Sequence, residues 1–545
     1  MPFLAEKPVS IPGKDILSWM FDEPKFDQEK IVYIDALNPS NSISANQARV
    51  IIRQLAAGFH AAGVKPGDVV GVHGFNSINY PMLFLGILAA GAIFVGTNPS
   101  YTHYELTHHF KTSLTKYVIA EPELLPAVLE AAKDSNIERA NIWLFADQND
   151  ATTPGFESWR TLLKHGEKDW PRFDDVEQSK RTTAARLFSS GTTGLPKGAE
   201  LSHYNLIAQH ILVHEVDPLP WETRRLLPFP MFHAAMVPSA HIAPLRSGHA
   251  SYVLRRFEME PYLSSIPKYK LTELVFFPPV AVGVLNYPDV HKYSFESVKM
   301  ALCGAGALSR ENQAALQAIL GAETSFTQVW GMTETSCVAS KFYWPEKDDT
   351  GSVGRMMPGL DVKLTDDDGK DITDFDVRGE LCIRGPTIIS GYFNSPHATK
   401  DAVDEEGYFK TGDIMYCNSK TKKWYIVDRK KELIKVRAFS VAPAEIEGVL
   451  LEHPQIQDAA VIGIKKPDEP EVEMPKAYVV RKPGAANLSE EQIKSYCSER
   501  LAKYKELSGG VSFVDAVPRN ATGKALKRIL RDMEKAESGR PGVKL

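Results

Sequence analysis

One ten-residue segment, residues 189–198, restricts how this chain can fold more than any other part of the sequence. It reads SSGTTGLPKG and holds three glycines, four hydroxyl side chains and one lysine. Glycines let backbone N–H groups curl around an anion, and hydroxyls and a lysine add donors and positive charge. Residues 184–188 and 198–201 on its flanks read as strands, so we expect a phosphate-binding loop within a hairpin. It is not a Walker A loop, because Pro196 stands where that motif needs its second glycine.

The length of the chain requires more than one domain. It has 545 residues, whereas a single hydrophobic core stops growing at roughly 250–300 residues. Over the first four hundred or so residues, strand-like runs such as 68–72 and 117–120 alternate with helical patterns such as 45–62. This alternation predicts an α/β fold class with largely parallel sheets, divided into subdomains.

The character of the sequence changes towards the C-terminus. Residues 428–432 read DRKKE, a charge run that a buried strand could not tolerate, and after it come the patterns of a small, mobile α+β domain. A helix is predicted at 443–451, strands at 458–463 and 476–480, and a further helix opening with the capping box at Ser489. We therefore predict a large N-terminal domain, residues 1–428, and a small C-terminal domain, residues 429–545, with the hinge at Lys431.

Charge and composition exclude several classes of protein. The net charge of -5 gives no reason to expect a nucleic-acid partner. The five cysteines show no CxxC pair and no zinc spacing, which suits a reducing compartment. The longest apolar run, residues 81–95, is shorter than the ~20 residues that a bilayer needs, so no membrane span is expected. No secretory leader is recognisable, and we expect a cytoplasmic protein; the final Val-Lys-Leu matches two of three positions of a peroxisomal signal, which leaves that compartment as an alternative.

Five motifs in order resemble the adenylate-forming superfamily, which includes acyl- and aryl-CoA ligases, luciferase-like enzymes and peptide-synthetase adenylation domains. The resemblance covers nearly the whole chain and is closest to the coumarate–CoA ligase-like acyl-CoA ligases of fungal type. The motifs are the loop described above and residues 328–334 (QVWGMTE), 407–413 (GYFKTGD), 425–447 and 519–524 (RNATGK).

The resemblance implies an enzyme that uses ATP, Mg²⁺, coenzyme A and a small-molecule carboxylic acid, first forming an acyl-adenylate and then a thioester. It assigns Glu334 to the metal, Thr333 to a phosphate, Asp413 to the ribose, and Lys524 and Lys435 to catalysis. The residues it implies for ATP or AMP binding are Ser189, Ser190, Gly191, Thr192, Thr193, Gly194, Lys197, Gly304, Ala305, Gly306, Gln328, Trp330, Gly331, Thr333, Asp413 and Arg429.

The proposed chemistry explains why these residue types occur. A carboxylate that attacks the α-phosphate of ATP brings two anions together, so catalysis depends on positioning and cationic stabilisation. Lys524, a mobile charge on a long stem, suits the oxygens shared by the carboxylate and the α-phosphate. Mg²⁺ is held in such sites by few protein carboxylates together with phosphate oxygens, which fits Glu334.

The acid pocket implied by the resemblance differs from that of the coumarate-type enzymes. His233 stands where amino-acid-activating relatives carry an aspartate, and this argues against an amino-acid substrate. Val329 replaces a glycine at the pocket floor, so a reshaped and shortened pocket is expected. Ala235 replaces an aromatic residue, which would return some of that volume. The implied pocket residues are His233, Ala235, Ser239, Ala305, Val329, Gly331 and Met332, with His233 also counted as catalytic.

The coenzyme A site is implied at Arg437, Ala438 and Phe439, where Ala438 replaces a glycine that lets the thiol arm pass. This departure keeps a rival open, an adenylating enzyme that loads a carrier protein or an amine. A luciferase-like oxygenase would share every motif. A catalytically dead binding protein is disfavoured, and a monomer or homodimer is expected. The residues whose joint presence disfavours the binding protein are Lys197, Glu334, Asp413, Arg429 and Lys524.

Overall fold

The structure is a computed structural model that describes residues 3–5, 8–146, 153–189, 196–306, 308, 310–366, 368–429, 434–437, 439–441, 443–466, 469–518, 525 and 527–538. Two compact units are present. The first comprises Met1–Pro99, Leu106–Ser189 and Lys197–Asp428. The second comprises Ser100–Glu105, Ser190–Pro196 and Arg429–Leu545. The α/β class predicted from the alternating pattern is confirmed.

The first unit contains two seven-stranded sheets, each parallel except for one antiparallel edge pair. Parallel sheets covered by helices bury both faces, so their strands are continuous apolar runs. In spatial order the strands of one sheet are Glu157–Ser158, Ile142–Leu144, Thr115–Ala120, Val69–His73, Ile93–Thr97, Thr183–Ser189 and Lys197–Ser202. Those of the other are Ser325–Gln328, Met300–Cys303, Glu273–Phe276, Arg224–Leu227, Ala250–Val253, Ile31–Asp35 and Ser42–Ser44.

Two smaller sheets follow. The three-stranded sheet is antiparallel and contains Trp330–Met332, Cys337–Lys341 and Arg355–Met356. The five-stranded sheet contains Asp371–Ile372, Asp361–Thr365, Gly379–Arg384, Phe409–Cys417 and Trp424–Arg429. The α-helices before residue 428 are Ile16–Phe21, Ala45–Ala61, Tyr80–Ala89, His103–Ser113, Leu125–Asp134, Val176–Arg181, His203–His210, Ala243–Ser247, Met259–Tyr269, Pro278–Leu285, Arg310–Leu320 and Pro396–Ala402.

The apolar run at residues 81–95 forms a buried helix, a turn and a buried strand. The helix Tyr80–Ala89 begins with Pro81 in its first turn, where a missing N–H costs nothing. Gly91 has φ +73° and ends the turn before the strand Ile93–Thr97. Every residue of this helix and strand is buried. Among the described residues, no helix has both the length and the apolar character needed to cross a bilayer.

The second unit has its own hydrophobic core between helices and a three-stranded sheet. The helix Pro443–Leu451 has the predicted bounds, and Ser489 forms the predicted capping box with Gln492. The two strands predicted at 458–463 and 476–480 are longer than expected, because oppositely charged residues such as Lys465 and Glu473 face each other across the hairpin. The strands are Ile434–Val436, Phe439–Val441, Ile456–Lys466, Glu469–Arg481 and Val511–Phe513, and the remaining helices are Glu490–Ser498 and Lys527–Ser538.

Candidate active site

The glycine-rich segment lies between two antiparallel strands at the edge of the first sheet. The strands Thr183–Ser189 and Lys197–Ser202 pair with Ser189 opposite Lys197, so the predicted hairpin is confirmed. Lys197 is the first residue of the return strand. The loop residues named from the sequence, Ser190, Gly191, Thr192, Thr193 and Gly194, lie outside the described residues.

A segment from a distant part of the chain pairs with the free edge of this hairpin. Tyr392 forms an antiparallel bridge with Ala199, and the Glu200 N–H donates to the Gly391 carbonyl at 3.0 Å. The same segment is tied to the helix His203–His210, since the Asn205 amide donates to two of its carbonyls. Residues 386–392 therefore hold both the return strand of the hairpin and the helix that follows it.

The carboxylate assigned to the metal is buried and lies beside this segment. Glu334 is 4% exposed, and its Oε1 accepts a hydrogen bond from the Tyr392 hydroxyl at 2.8 Å. The Glu334 carbonyl accepts from the Ile389 N–H at 3.0 Å. No basic side chain among the described residues forms an ion pair with Glu334. A buried carboxylate without a countercharge is costly unless a cation joins it, so this residue fits a divalent metal.

The donor set also favours magnesium over a metal held by the protein alone. In the part of the chain that the structure describes, no three His, Cys, Asp or Glu side chains converge as a metal cage. Mg²⁺ prefers hard oxygen ligands and commonly takes one or two carboxylates together with phosphate oxygens. The buried Glu334, beside the segment that pairs with the glycine-rich hairpin, matches that pattern.

The residues assigned to the nucleoside follow two neighbouring parallel strands. Cys303 and Gln328 pair at the ends of their strands, so residues 304–306 and Val329 leave the sheet at the same edge. A Cβ on Gly304 would lie 3.0 Å from Val329 Cγ2, so Val329 covers the Gly304 backbone. Ala305 adopts φ +62°, a strained conformation for a residue with a side chain that often marks functional sites.

Three of the residues predicted to bind the nucleotide form hydrogen bonds with other residues of the protein. The Gln328 amide accepts from the Leu308 N–H at 3.0 Å and donates to the Gln313 side chain at 2.8 Å, so it holds the backbone of Leu308. The Trp330 indole N–H donates to Asp413 Oδ2 at 2.8 Å. Both Trp330 and Asp413 are buried, at 4% and 2% exposure, and their contact with the nucleotide stays a prediction.

Gly331 is required by the strand that follows it. A Cβ on Gly331 would lie 1.7 Å from the Cys337 carbonyl oxygen, so no other residue fits without a backbone shift. Cys337 itself has φ +130°, and Ser336 before it has φ +59°. Met332 and Thr333, also named from the sequence, are half-buried in the same turn.

Three of the residues predicted to line the acid pocket, His233, Ala235 and Ser239, lie in the turn before the helical segment Pro238–Ile242 of the first unit and in that segment itself. His233 Nδ1 accepts from the Ala235 N–H at 3.2 Å, which fixes the ring. His233 is exposed as a residue, and desolvation by the groups around its ring lowers its pKa below the ordinary value. Ser239 is half-buried, and its hydroxyl donates to the Met236 carbonyl at 3.3 Å.

Two side chains at the site were not found by sequence reasoning. Cys337 Sγ donates to the Ala235 carbonyl at 3.5 Å, which connects the turn after Glu334 with the segment that contains Ala235, and burial raises the pKa of its thiol to about 12. Tyr392 contacts Glu334 as described above. Cys337 comes three residues after Glu334, which is a usable signal, whereas nothing near Tyr392 in the sequence indicates its contact.

In the second unit, the structure describes some of the remaining predicted residues. Lys435 lies on the strand Ile434–Val436, with its backbone N–H donating to Glu473 Oε2 at 2.8 Å. Arg437 is exposed with φ +54°. The Phe439 ring stacks on Tyr504 with centroids 4.0 Å apart.

Other predicted residues fall at or beyond the limits of what the structure describes. Arg429 ends the strand Trp424–Arg429, and Lys431, Ala438 and Lys524 lie outside the described residues. So does the C-terminal Val-Lys-Leu, and nothing found here supports a peroxisomal address.

Comparisons with known proteins match nearly the whole chain to one enzyme family. Residues 22–393 match the AMP-binding enzyme family, and residues 445–524 match the AMP-binding enzyme C-terminal domain. The chain is 51% identical to the phenylacetyl-CoA ligase epaB of Aspergillus niger, over 98% of this chain and 99% of that protein. It is also 51% identical to the acyl-CoA ligase azaF of Aspergillus niger, over 97% of this chain and 100% of that protein.

A solved structure supports the fold. The o-succinylbenzoate CoA synthetase MenE of Bacillus subtilis, a double mutant bound to a product analogue, superposes with a TM-score of 0.79 at 22% identity, covering 95% of this chain and 98% of that one. The acyl-CoA ligase activity predicted from the sequence motifs, with ATP and coenzyme A as substrates, is confirmed. The chain belongs to the AMP-binding enzyme family.

Proposed function

We propose that this protein activates a compact aryl acid, such as an arylacetic acid, as an acyl-adenylate and transfers it to coenzyme A. In the first half-reaction the acid displaces pyrophosphate from ATP, and in the second the thiol displaces AMP. The observation that carries the assignment is the buried Glu334 carboxylate, without a countercharge among the described residues and bonded to the segment that pairs with the hairpin.

Within the first half-reaction, the chain's own residues bind and orient the two anions. Asp413 would accept hydrogen bonds from the ribose hydroxyls, with Trp330 holding its Oδ2. Lys197, at the start of the return strand, would contact phosphate oxygens of a nucleotide held by the hairpin. Glu334 would hold Mg²⁺, which when bound neutralises phosphate charge. Lys524 would stabilise the oxygens shared by the carboxylate and the α-phosphate.

The state of His233 supports an acid without an amino group. Its pKa is lowered by burial, so near neutral pH the ring carries no charge. A substrate ammonium group would need a fixed negative partner, which a neutral imidazole cannot supply. An uncharged acyl group beside His233 is the better match.

Two observations support a compact aryl group. Val329 lies over Gly304 at the edge where the nucleotide and acid are expected to meet, and its branched side chain shortens the space there. A relative 51% identical over nearly its whole length is a phenylacetyl-CoA ligase. An arylacetic acid has a flat ring close to its carboxylate and needs less depth than a hydroxycinnamate.

In the second half-reaction, Lys435, Arg437, Ala438 and Phe439 are proposed to line the path of the thiol. The proposed domains, residues 1–428 and 429–545, would meet at the hinge residue Lys431. A cytoplasmic location and a monomeric or homodimeric state remain predictions.

The test is pyrophosphate release over a panel of arylacetic, hydroxycinnamic and fatty acids, with and without coenzyme A. We expect the highest kcat/KM with arylacetic acids, and an acyl-CoA product whenever coenzyme A is present. A preference for long fatty acids would contradict the compact pocket. Pyrophosphate release without any thioester would contradict coenzyme A as the acceptor and direct the search to a carrier protein or an amine.

A further inference from the structure

Tyr392 lies between two parts of the nucleotide site that are distant in sequence. Its hydroxyl donates to Glu334 Oε1 at 2.8 Å. Lys197 Nζ lies 5.4 Å from the centre of the Tyr392 ring. The tyrosine therefore contacts both the carboxylate assigned to the cation and the lysine at the base of the phosphate hairpin.

The backbone of Tyr392 is fixed in this position. It bridges to Ala199 on the hairpin, and its N–H donates to Thr399 Oγ1 at 2.9 Å. Gly391 before it has φ +151°, and a Cβ there would lie 2.6 Å from Thr399 Cγ2, so only glycine permits this close approach. The contacts of the Tyr392 backbone therefore fix the position of its ring beside Glu334.

Glu334 has little freedom apart from the direction of its carboxylate. Its backbone is held by the Ile389 N–H, and its side chain is almost fully buried. A hydrogen bond to Oε1 restricts rotation of the carboxylate and so determines where Oε2 points.

We propose that Tyr392 is a positioning residue that orients Glu334 for the divalent cation bound with ATP and links this carboxylate to the phosphate hairpin. The inference rests on the proposed function, in which Glu334 meets the cation. A fixed donor is useful here because Mg²⁺ demands near-ideal octahedral geometry. Removing a partner that orients a metal ligand typically costs about 10–100-fold in metal affinity.

The experiment measures ATP binding without acid or coenzyme A, so no turnover occurs. Calorimetric titration with ATP is repeated from EDTA through a series of Mg²⁺ concentrations for the wild type, Tyr392→Phe, Glu334→Gln and the double variant. We expect Tyr392→Phe to raise about tenfold the Mg²⁺ concentration at which half of the gain in ATP affinity is reached. The ATP affinity measured in EDTA should be unchanged. In the Glu334→Gln background, Tyr392→Phe should have no further effect, because the residue it acts through is gone.

Tyr80→Phe is a matched control. The Tyr80 hydroxyl is buried and makes no hydrogen bond among the described residues, so its loss tests the effect of removing a buried hydroxyl alone. It should leave the Mg²⁺ dependence unchanged. Thr399→Val, which removes the side-chain acceptor for the Tyr392 N–H, is a second variant should Tyr392→Phe fold poorly. It should shift the Mg²⁺ dependence in the same direction, by a smaller factor.

Two results would overturn the proposal while leaving the proposed function in place. One is a Tyr392→Phe protein whose Mg²⁺ dependence equals that of the wild type. The other is an equal loss of ATP affinity with and without Mg²⁺, which would place the effect on the phosphate hairpin. A wild type whose ATP binding ignores Mg²⁺ altogether would instead remove the assignment of Glu334, and the role of Tyr392 with it.

Discussion

The indole N–H of Trp330 donates a hydrogen bond to Asp413 Oδ2 at 2.8 Å, across 83 residues of sequence. Both side chains are almost fully buried. Asp413 is the residue expected to accept the ribose hydroxyls, so the indole holds one of its oxygens and orients the other. In this chain Trp330 is therefore placed to act on nucleotide affinity through the carboxylate.

Trp330→Phe should raise the KM for ATP about tenfold and change kcat far less. Phenylalanine retains an aromatic ring but loses the donor, and a hydrogen bond to a charged group contributes about 1.5–3 kcal/mol. Steady-state pyrophosphate release at varied ATP measures the effect. Trp221→Phe is the matched control, since the buried Trp221 indole N–H makes no hydrogen bond among the described residues. An equal rise in KM in both variants would mean that the effect is not the loss of the bond to Asp413.

The sequence predicts the parts of this site that depend on local pattern. The hairpin strands around the glycine-rich loop follow from apolar runs that flank turn residues, and the helix Pro443–Leu451 follows from its proline start and apolar spacing. These features are determined by residues a few positions apart, so they can be read without tertiary structure.

The contacts that tie the site together could not be read in this way. Tyr392 and Glu334 are 58 residues apart, and Cys337 and Ala235 are 102 apart. Such pairs meet only because separate elements pack together, and neither partner carries a local signal of the other. Sequence motifs indicate Glu334 and Ala235, but they do not indicate Tyr392 and Cys337, whose side chains contact them.

Val329→Gly should widen the acid pocket. It removes the side chain that covers Gly304, and the Val329 N–H bond to the Cys303 carbonyl is a backbone contact that the change keeps. We expect kcat/KM for a hydroxycinnamic acid to rise at least tenfold relative to an arylacetic acid, since a difference of one or two methylene groups in a pocket contributes about 1–3 kcal/mol. Competition between the two acids measures this ratio directly.

Ala235→Phe is the opposing variant for the same pocket. It adds an aromatic side chain at a position predicted to line the acid pocket. The substitution should lower kcat/KM for the larger acid and leave kcat/KM for smaller acids unchanged. If neither Val329→Gly nor Ala235→Phe alters the ratio, these positions do not line the acid pocket.

Lys524→Ala should separate the two half-reactions. The lysine is assigned by its motif to the oxygens formed during adenylation, so pyrophosphate release should fall at least 100-fold. Transfer of a supplied acyl-adenylate to coenzyme A should be retained within a few-fold. Lys527→Ala is a suitable control, because Lys527 pairs with Glu447 at 2.7 Å and has no assigned catalytic role. Equal loss of both half-reactions in Lys524→Ala would contradict the assignment.

Buried neutral histidines should make the first unit sensitive to acid. Burial lowers the pKa of His73 and His210 to about 3, and that of His203 and His241 to about 4. In the unfolded chain these side chains titrate near 6.5, so their contribution to stability is complete above pH 6.5 and is lost progressively as the pH falls towards 3 to 4. Each contributes a slope of up to about 1.4 kcal/mol per pH unit in that window. Urea denaturation at pH 7.5, 6.0 and 5.0 measures how the free energy of unfolding changes with pH. His210→Gln should reduce this slope by up to about 1.4 kcal/mol per pH unit. An unchanged slope would mean that His210 is protonated in the folded state.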